Sequence, residues 1–243
     1  MSVKLYLFTI VPLCSMVVFS EYGQTISMKS DASEIFINSI DKEGISYLAL
    51  GDSYTIAECE VSANSYPNQL VNKIRKSGIS VKSITTIART GWRTDDLKNA
   101  ILKAALKDTF DMVSLLIGVN NQYQGKSLEE YKIQFQDLLE TAIVLAKGRK
   151  DKVFVVSIPD YGVTPFGKAN EHAISGKIDL FNNVNREITL KVGVRYFDIT
   201  PISREAKEDK SLICTDLLHP SSKMYARWVE HIFPEVLLLL SKP

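Results

Sequence analysis

The stretch YLALGDSYTIAE, residues 47–58, sets an apolar run of strand length directly against Gly51-Asp52-Ser53. A run without polar alternation reads as a strand buried on both faces, the pattern of a parallel sheet covered by helices. The serine at its carboxyl end has two readings. It caps the helix that follows, a role serine favours, or its hydroxyl is held out at the sheet edge where open α/β folds bind their ligands.

The rest of the chain repeats the same alternation. Strand-length runs rich in Val and Ile recur at 45–51, 81–88, 111–118, 152–158 and 194–199. Between them the apolar residues fall at helical spacing. One helix carries Leu70 and Ile74 and ends at Ser77-Gly78. A second starts at Thr94 and carries Leu97, Ile101, Ala104 and Ala105. A third is announced by Ser127 and Glu130, a capping-box pair, ahead of Tyr131, Phe135, Leu138, Leu139, Ala142 and Leu145. Ile174, Ile178, Phe181 and Ile188 mark a fourth, and Tyr225, Trp228, Val229 and Ile232 a fifth that Pro234 is expected to interrupt. Strands separated by helices call for crossover connections, hence a parallel sheet with helices on both faces.

Composition narrows the function classes. At 243 residues, 45% hydrophobic and 23% charged, the chain suits one globular core. Lys plus Arg number 29 against 28 Asp plus Glu, without long blocks of either sign, so no electrostatic footprint for nucleic acid is expected. Residues 1–20 carry a lone lysine, an apolar stretch, and Val18 and Ser20 at small-residue positions. They read as a cleaved export signal and place the protein in the periplasm or outside the cell. A membrane anchor is the alternative, for which the run is short of the ~20 residues a spanning helix needs. Lipoprotein processing at Cys14 is disfavoured by the bulky Leu13. Residues 21–40, with a short apolar EIFI at 34–37, read as a lead-in to a domain spanning 41–243. Once the leader is removed, Cys59 and Cys214 are left, either as one disulfide or as two thiols; spacing does not decide between them.

If the sheet carries chemistry, reactive residues should gather after the apolar runs, and they do. The first run ends in Gly51-Asp52-Ser53, the second in Arg89-Thr90-Gly91 and the third in Gly118-Val119-Asn120-Asn121; the loop before the last helix reads TDLLHPS, with Asp216 and His219 three apart. A serine becomes a nucleophile when a histidine takes its proton, and an acidic group holds that imidazole in one tautomer. Ser53, His219 and Asp216 supply these types. The oxyanion that forms needs donors fixed in advance, and the N–H of Ser53, the N–H of Gly91 and the side-chain amide of Asn120 are the candidates. His172 and His231 read as surface residues, and Asp52 as a turn residue that bonds backbone donors. Metal-ligand spacing, a phosphate loop and a Gly-x-Ser-x-Gly elbow are missing from the sequence, so no cofactor is expected.

These blocks resemble the SGNH, or GDSL-type, hydrolase family of esterases and lipases. LALGDSYT resembles its first block, with Ser53 in the nucleophile's place; ARTGWRTDDL the second, with Gly91; LLIGVNNQY the third, with Gly118 and Asn120; and DLLHPS the last, with Asp216 and His219. The match covers roughly residues 45–230, in the family's order. One departure is Asn121, where the third block commonly has aspartate. The resemblance implies a flavodoxin-like three-layer α/β/α sandwich with a central parallel five-stranded sheet. It also implies a serine esterase acting through an acyl-enzyme on small-molecule, carbohydrate or lipid esters. A monomer is expected, with no stable membrane insertion once the leader is cleaved. An acyltransferase using the same acyl-enzyme and a non-catalytic binding module are the rival readings. Some single-residue assignments stay open. Gly91 also suits a left-handed turn, Asn120 a turn residue, and Asn121 competes for the donor role, although the family's Gly-x-Asn spacing favours Asn120. Tyr54, Trp92, Tyr123, Tyr161 and Phe166 are either pocket walls or ordinary core.

Overall fold

The computed structural model describes residues 16–19, 25–28 and 44–241. Residues 1–39 and 40–243 form separate units. In the first, strands β1 (Met16–Phe19) and β2 (Thr25–Met28) pair antiparallel. Most of the expected leader, the 34–37 strand and the boundary near residue 40 lie outside the described residues.

The second unit is built on β3 (Ile45–Asp52), β4 (Val81–Arg89), β5 (Met112–Leu116), β6 (Val153–Val156) and β7 (Arg195–Phe197), all parallel, in the order β4-β3-β5-β6-β7. Every residue of β5 and β6 is buried, as are Tyr47 to Asp52 of β3, because helices cover both faces. The helices are α1 (Ser53–Ile56), α2 (Tyr66–Lys76), α3 (Thr94–Ala104), α4 (Val119–Tyr123), α5 (Leu128–Leu145), α6 (Glu171–Val192), α7 (Thr200–Arg204) and α8 (Ser222–Ser241). α2 packs on α8, and α5 packs on both α3 and α6. Right-handed crossovers dictate this division. The chain steps from β3 outward to β4 and then back past β3 to β5, which puts α2 on one face and α3, α5 and α6 on the other. The expected three-layer sandwich is the fold observed.

The strands are shorter than their apolar runs. β5 stops at Leu116 and β6 at Val156, yet Ile117, Ser157 and Ile158 remain buried in the loops beyond. Apolarity here reports burial under the helices, whereas the ladder ends earlier. α5 begins as its sequence signals, with the Ser127 hydroxyl accepting from Glu130 N–H at 3.1 Å. The reciprocal half of the box is not formed, since Glu130 accepts from the Gln134 amide instead. At Pro234 the expectation fails, because α8 runs through it to Ser241. Proline removes one helical bond, but Glu230, whose carbonyl loses it, lies on the exposed side together with Pro234, and Ile232, Val236 and Leu239 continue the buried stripe. Near the end of α8 the buried Lys152 donates its ammonium to the Leu239 carbonyl at 2.6 Å, where a cation suits the helix dipole. Among the described residues no helix is long and apolar enough to cross a membrane.

The carboxyl ends of three strands are held level. Asp52 pairs with Arg89 and Gly51 with both Ala88 and Leu116. The approach at Gly51 leaves no room for a side chain: a Cβ there would lie 2.0 Å from the Thr55 hydroxyl and 2.5 Å from the Leu116 carbonyl oxygen. Gly51→Ala is therefore expected to destabilise the protein by about 1–3 kcal/mol, since the neighbouring backbone cannot yield; the urea midpoint measures this, and an unchanged midpoint would refute the close-packing account.

Candidate active site

The β3 strand turns into α1 through Asp52. Its carboxylate oxygen Oδ1 accepts from Tyr54 N–H at 3.0 Å, making Asp52 the N-cap. The cap role that Ser53 could have filled is thus taken by its neighbour. Ser53 stands at the first helical position, 4% exposed, and its hydroxyl is not engaged by any described residue.

The other elements of the sheet edge bring their residues to the same place. Ser53, Gly91, Asn120 and His219 all line one cavity of about 170 Å³. It lies off the ends of β3, β4 and β5, where the strand order reverses about β3, as ligand sites do in doubly wound sheets. His219, 8% exposed, faces the cavity and holds Asp216 from behind, with its Nδ1 2.6 Å from Asp216 Oδ2. Asp216 Oδ1 also accepts from the N–H groups of Leu218 (3.0 Å) and His219 (2.9 Å). Desolvation works to raise the Asp216 carboxyl, but the His219 ring and these two N–H groups outweigh it and hold its pKa below the ordinary value. A carboxylate ionised at neutral pH fixes Nδ1 as the protonated ring nitrogen, leaving Nε2 to accept a proton. No hydrogen bond joins Ser53 to His219, although both line the same cavity. The Tyr54 ring packs beside the imidazole, centroids 5.5 Å apart.

Gly91 adopts φ +82° in the turn after β4, a left-handed conformation that disfavours side chains, and its N–H has no acceptor among the described residues. The left-handed turn expected at Gly91 is thus observed. Asn120 and Asn121 divide their tasks. The Asn120 amide donates to the Trp92 carbonyl at 3.0 Å and lines the cavity. Asn121 is buried, accepting from Thr94 N–H (3.1 Å) and donating to the Thr94 hydroxyl (2.7 Å). An aspartate at 121 would accept the first of these bonds and could not donate the second while ionised, so the departure from the family pattern is matched by Thr94.

Of the aromatic candidates, Tyr54, Tyr123, Tyr161 and Phe166 line the cavity. Trp92 does not; its side chain packs against the core. Tyr123, Tyr161 and Phe166 form a ring cluster with centroids 6.1–6.3 Å apart, and Tyr123 (59%) and Phe166 (51%) are largely exposed. Thr90, Val119 and Leu218 complete the wall; the sequence reading passed over them because apolar or hydroxyl residues beside a motif carry no chemical signature. His172 and His231 are exposed, as expected. Cys59 and Cys214 are joined by a disulfide, their Cα atoms 6.3 Å apart.

Residues 49–227 match the model of the GDSL-like lipase/acylhydrolase family, and the chain belongs to that family of serine ester hydrolases. No curated protein matches the chain by sequence. Among solved structures, TesA superposes with a TM-score of 0.63 at 14% identity, covering 80% of this chain and 99% of that one. The esterase EstA from Pseudoalteromonas sp., inhibited by monoethylphosphonate, gives 0.58 at 14% identity, covering 81% and 99%. Axe2, an acetylxylan esterase from Geobacillus stearothermophilus, gives 0.61 at 18% identity, covering 82% and 95%. These similarities show a shared fold.

Asp52 is fully buried, and desolvation pushes its carboxyl up to about 7 against the pull of the Tyr54 N–H. The ordinary value is 3.8, so the folded protein holds an extra proton between about pH 4 and 7. Stability from the neutral carboxyl is complete below that window and is lost as pH rises through it. Asp52→Asn keeps an acceptor for Tyr54 and cannot ionise. It should match the wild type near pH 4 and become progressively more stable than it towards pH 8, read as urea midpoints; a constant difference across the range would refute the shift.

Proposed function

We propose that the protein is an exported serine esterase in which Ser53 attacks the ester carbonyl, His219 Nε2 takes the hydroxyl proton, and Asp216 orients and stabilises the imidazolium. The N–H groups of Ser53 and Gly91 and the Asn120 amide receive the oxyanion. His219 then returns the proton to the leaving alcohol, and water, activated by the same imidazole, releases the acyl group from Ser53. The observation that carries this reading is the division of labour at the end of β3. Asp52 makes the cap, so the Ser53 hydroxyl faces the cavity unspent, opposite an imidazole already bonded to a carboxylate.

Two further observations bear on context and substrate. A disulfide in the oxidised form fits an oxidising compartment, in line with the leader-like residues 1–20. The ring cluster of Tyr123, Tyr161 and Phe166 offers an apolar wall to one side of the ester. Tyr161 is braced from behind: Asp160 caps its turn through Gly162 N–H at 2.8 Å and is itself held by Arg204 at 2.8 Å. This favours esters with an apolar acyl or alcohol part over fully polar ones.

Ser53→Ala and His219→Ala should each lower kcat on p-nitrophenyl butyrate by about 10⁴-fold or more, with Asp216→Ala milder, and Ser53→Ala should abolish labelling by a fluorophosphonate while melting normally. Unchanged turnover in Ser53→Ala would end the assignment. Asn120→Ala should cost about 10²–10³-fold in kcat. For the apolar wall, Phe166→Ala should raise KM for p-nitrophenyl hexanoate by about threefold to tenfold, the worth of one lost apolar contact, and leave p-nitrophenyl acetate little altered; equal effects on both esters would argue against it.

A further inference from the structure

Asp216 and His219 stand on a loop whose middle is exposed, while Ile213 and Leu218 on either side pack against the core. Between buried Leu212 and buried His219, the residues Thr215, Asp216 and Leu217 are exposed. The loop is closed mainly on itself: Cys214 N–H donates to the His219 carbonyl (2.8 Å), Leu217 N–H to the Cys214 carbonyl (3.1 Å), and Ile213 bridges Pro220. Such bonds shape the loop, and the Tyr54 ring beside the His219 imidazole is a non-covalent contact between it and the Ser53 turn. Leu217 is held at φ +66°, a left-handed conformation costly for a leucine, so the loop has reason to rearrange when released. From outside, Phe166 N–H donates to the Leu217 carbonyl at 3.1 Å.

The covalent attachment comes from the nucleophile's own turn. Cys59 follows α1, where Ala57 (φ +60°) and Cys59 (φ +74°) are both left-handed and Glu58 N–H donates to the Ser53 carbonyl at 3.0 Å. The neighbouring Glu60 accepts from Ser222 N–H at 2.8 Å, just beyond the loop. One short segment thus touches Ser53 at one end and, through the Cys59–Cys214 bond, reaches a residue two positions before Asp216. Cys59 is exposed, and neither cysteine belongs to the buried core.

We propose that the Cys59–Cys214 disulfide is a positioning tether for the acid–base pair, and that dithiol reduction of this bond lowers ester hydrolysis while the fold persists. This rests on the assignment of Ser53, Asp216 and His219 made above. In the reduction, a thiolate of the dithiol attacks the accessible sulfur of Cys59, forming a mixed disulfide and expelling the Cys214 thiolate, which takes up a proton. The second thiol of the reagent then displaces Cys59, leaving two protein thiols and a cyclic oxidised reagent; two electrons have passed to the protein. With the bond open, the loop carrying Asp216 and His219 samples positions displaced from Ser53, and misplacement on an ångström scale costs heavily in rate.

The test compares oxidised wild type, wild type reduced with dithiothreitol, and Cys59→Ser and Cys214→Ser, each assayed on p-nitrophenyl butyrate well below its melting midpoint. The expected result is a fall in kcat of about tenfold or more with KM changed by less than about twofold. Fluorophosphonate labelling of Ser53 should slow in parallel, with an unaltered circular dichroism spectrum. Reoxidation should restore the reduced wild type and leave both serine variants slow. Full kcat in reduced protein shown by mass to carry two thiols would overturn the tether, and so would a loss of activity that only accompanies loss of the folded spectrum. Absence of turnover and of labelling in the oxidised wild type would instead overturn the esterase assignment, and the tether with it.

Discussion

One buried hydrogen bond, from Tyr54 N–H to the carboxyl of Asp52, turns a strand into a helix and decides what Ser53 is free to do. A helix start needs an acceptor for its first unpaired N–H groups. Had Ser53 supplied it, the hydroxyl would have been committed to the backbone. Because Asp52 supplies it, the turn is stable and the hydroxyl remains available at the cavity wall. Burying a carboxyl to achieve this is costly, and the raised pKa of Asp52 is the visible sign of that cost. The close approach at Gly51 serves the same end, since it brings the ends of β3 and β5 near enough for Ser53 and Asn120 to share one cavity.

Much of this was legible before any coordinates. The five apolar runs located every strand of the sheet, and the reactive residues after them located the cavity. What the sequence blurred were quantities that depend on burial or distance. The runs at 111–118 and 152–158 outlast their strands because Ile117 and Ile158 are buried in loops, and hydrophobic pattern cannot tell a buried loop residue from a paired one. Pro234 looked like a stop because local chemistry says so; the continuing stripe of Ile232, Val236 and Leu239 overrides it. The two asparagines after Gly118 were chemically interchangeable on paper and became distinct only when Thr94 was seen to occupy Asn121. The state of Cys59 and Cys214, 155 residues apart, was undecidable from spacing and became plain once their Cα atoms were placed.

The family membership and the local geometry explain different things. The same fold recurs in TesA, EstA and Axe2 at 14–18% identity, so the architecture tolerates replacement of most side chains. The positions of demanding geometry in this chain lie at the sheet edge: the left-handed turn at Gly91, the tight packing of Gly51, and the loop that lets Asp216 reach both its own backbone and the ring of His219. Around them stand the exposed rings of Tyr123 and Phe166, beside the braced Tyr161.

Lys152 precedes β6 at the amino end of its strand, whereas the cavity opens off the carboxyl ends of the sheet. By gripping the Leu239 carbonyl, it moors the last turns of α8 at the pole opposite the mouth. A resin, a dye or a fused partner joined after Ser241 would consequently leave the entrance facing outward, with the length of the strands between the point of attachment and the incoming ester.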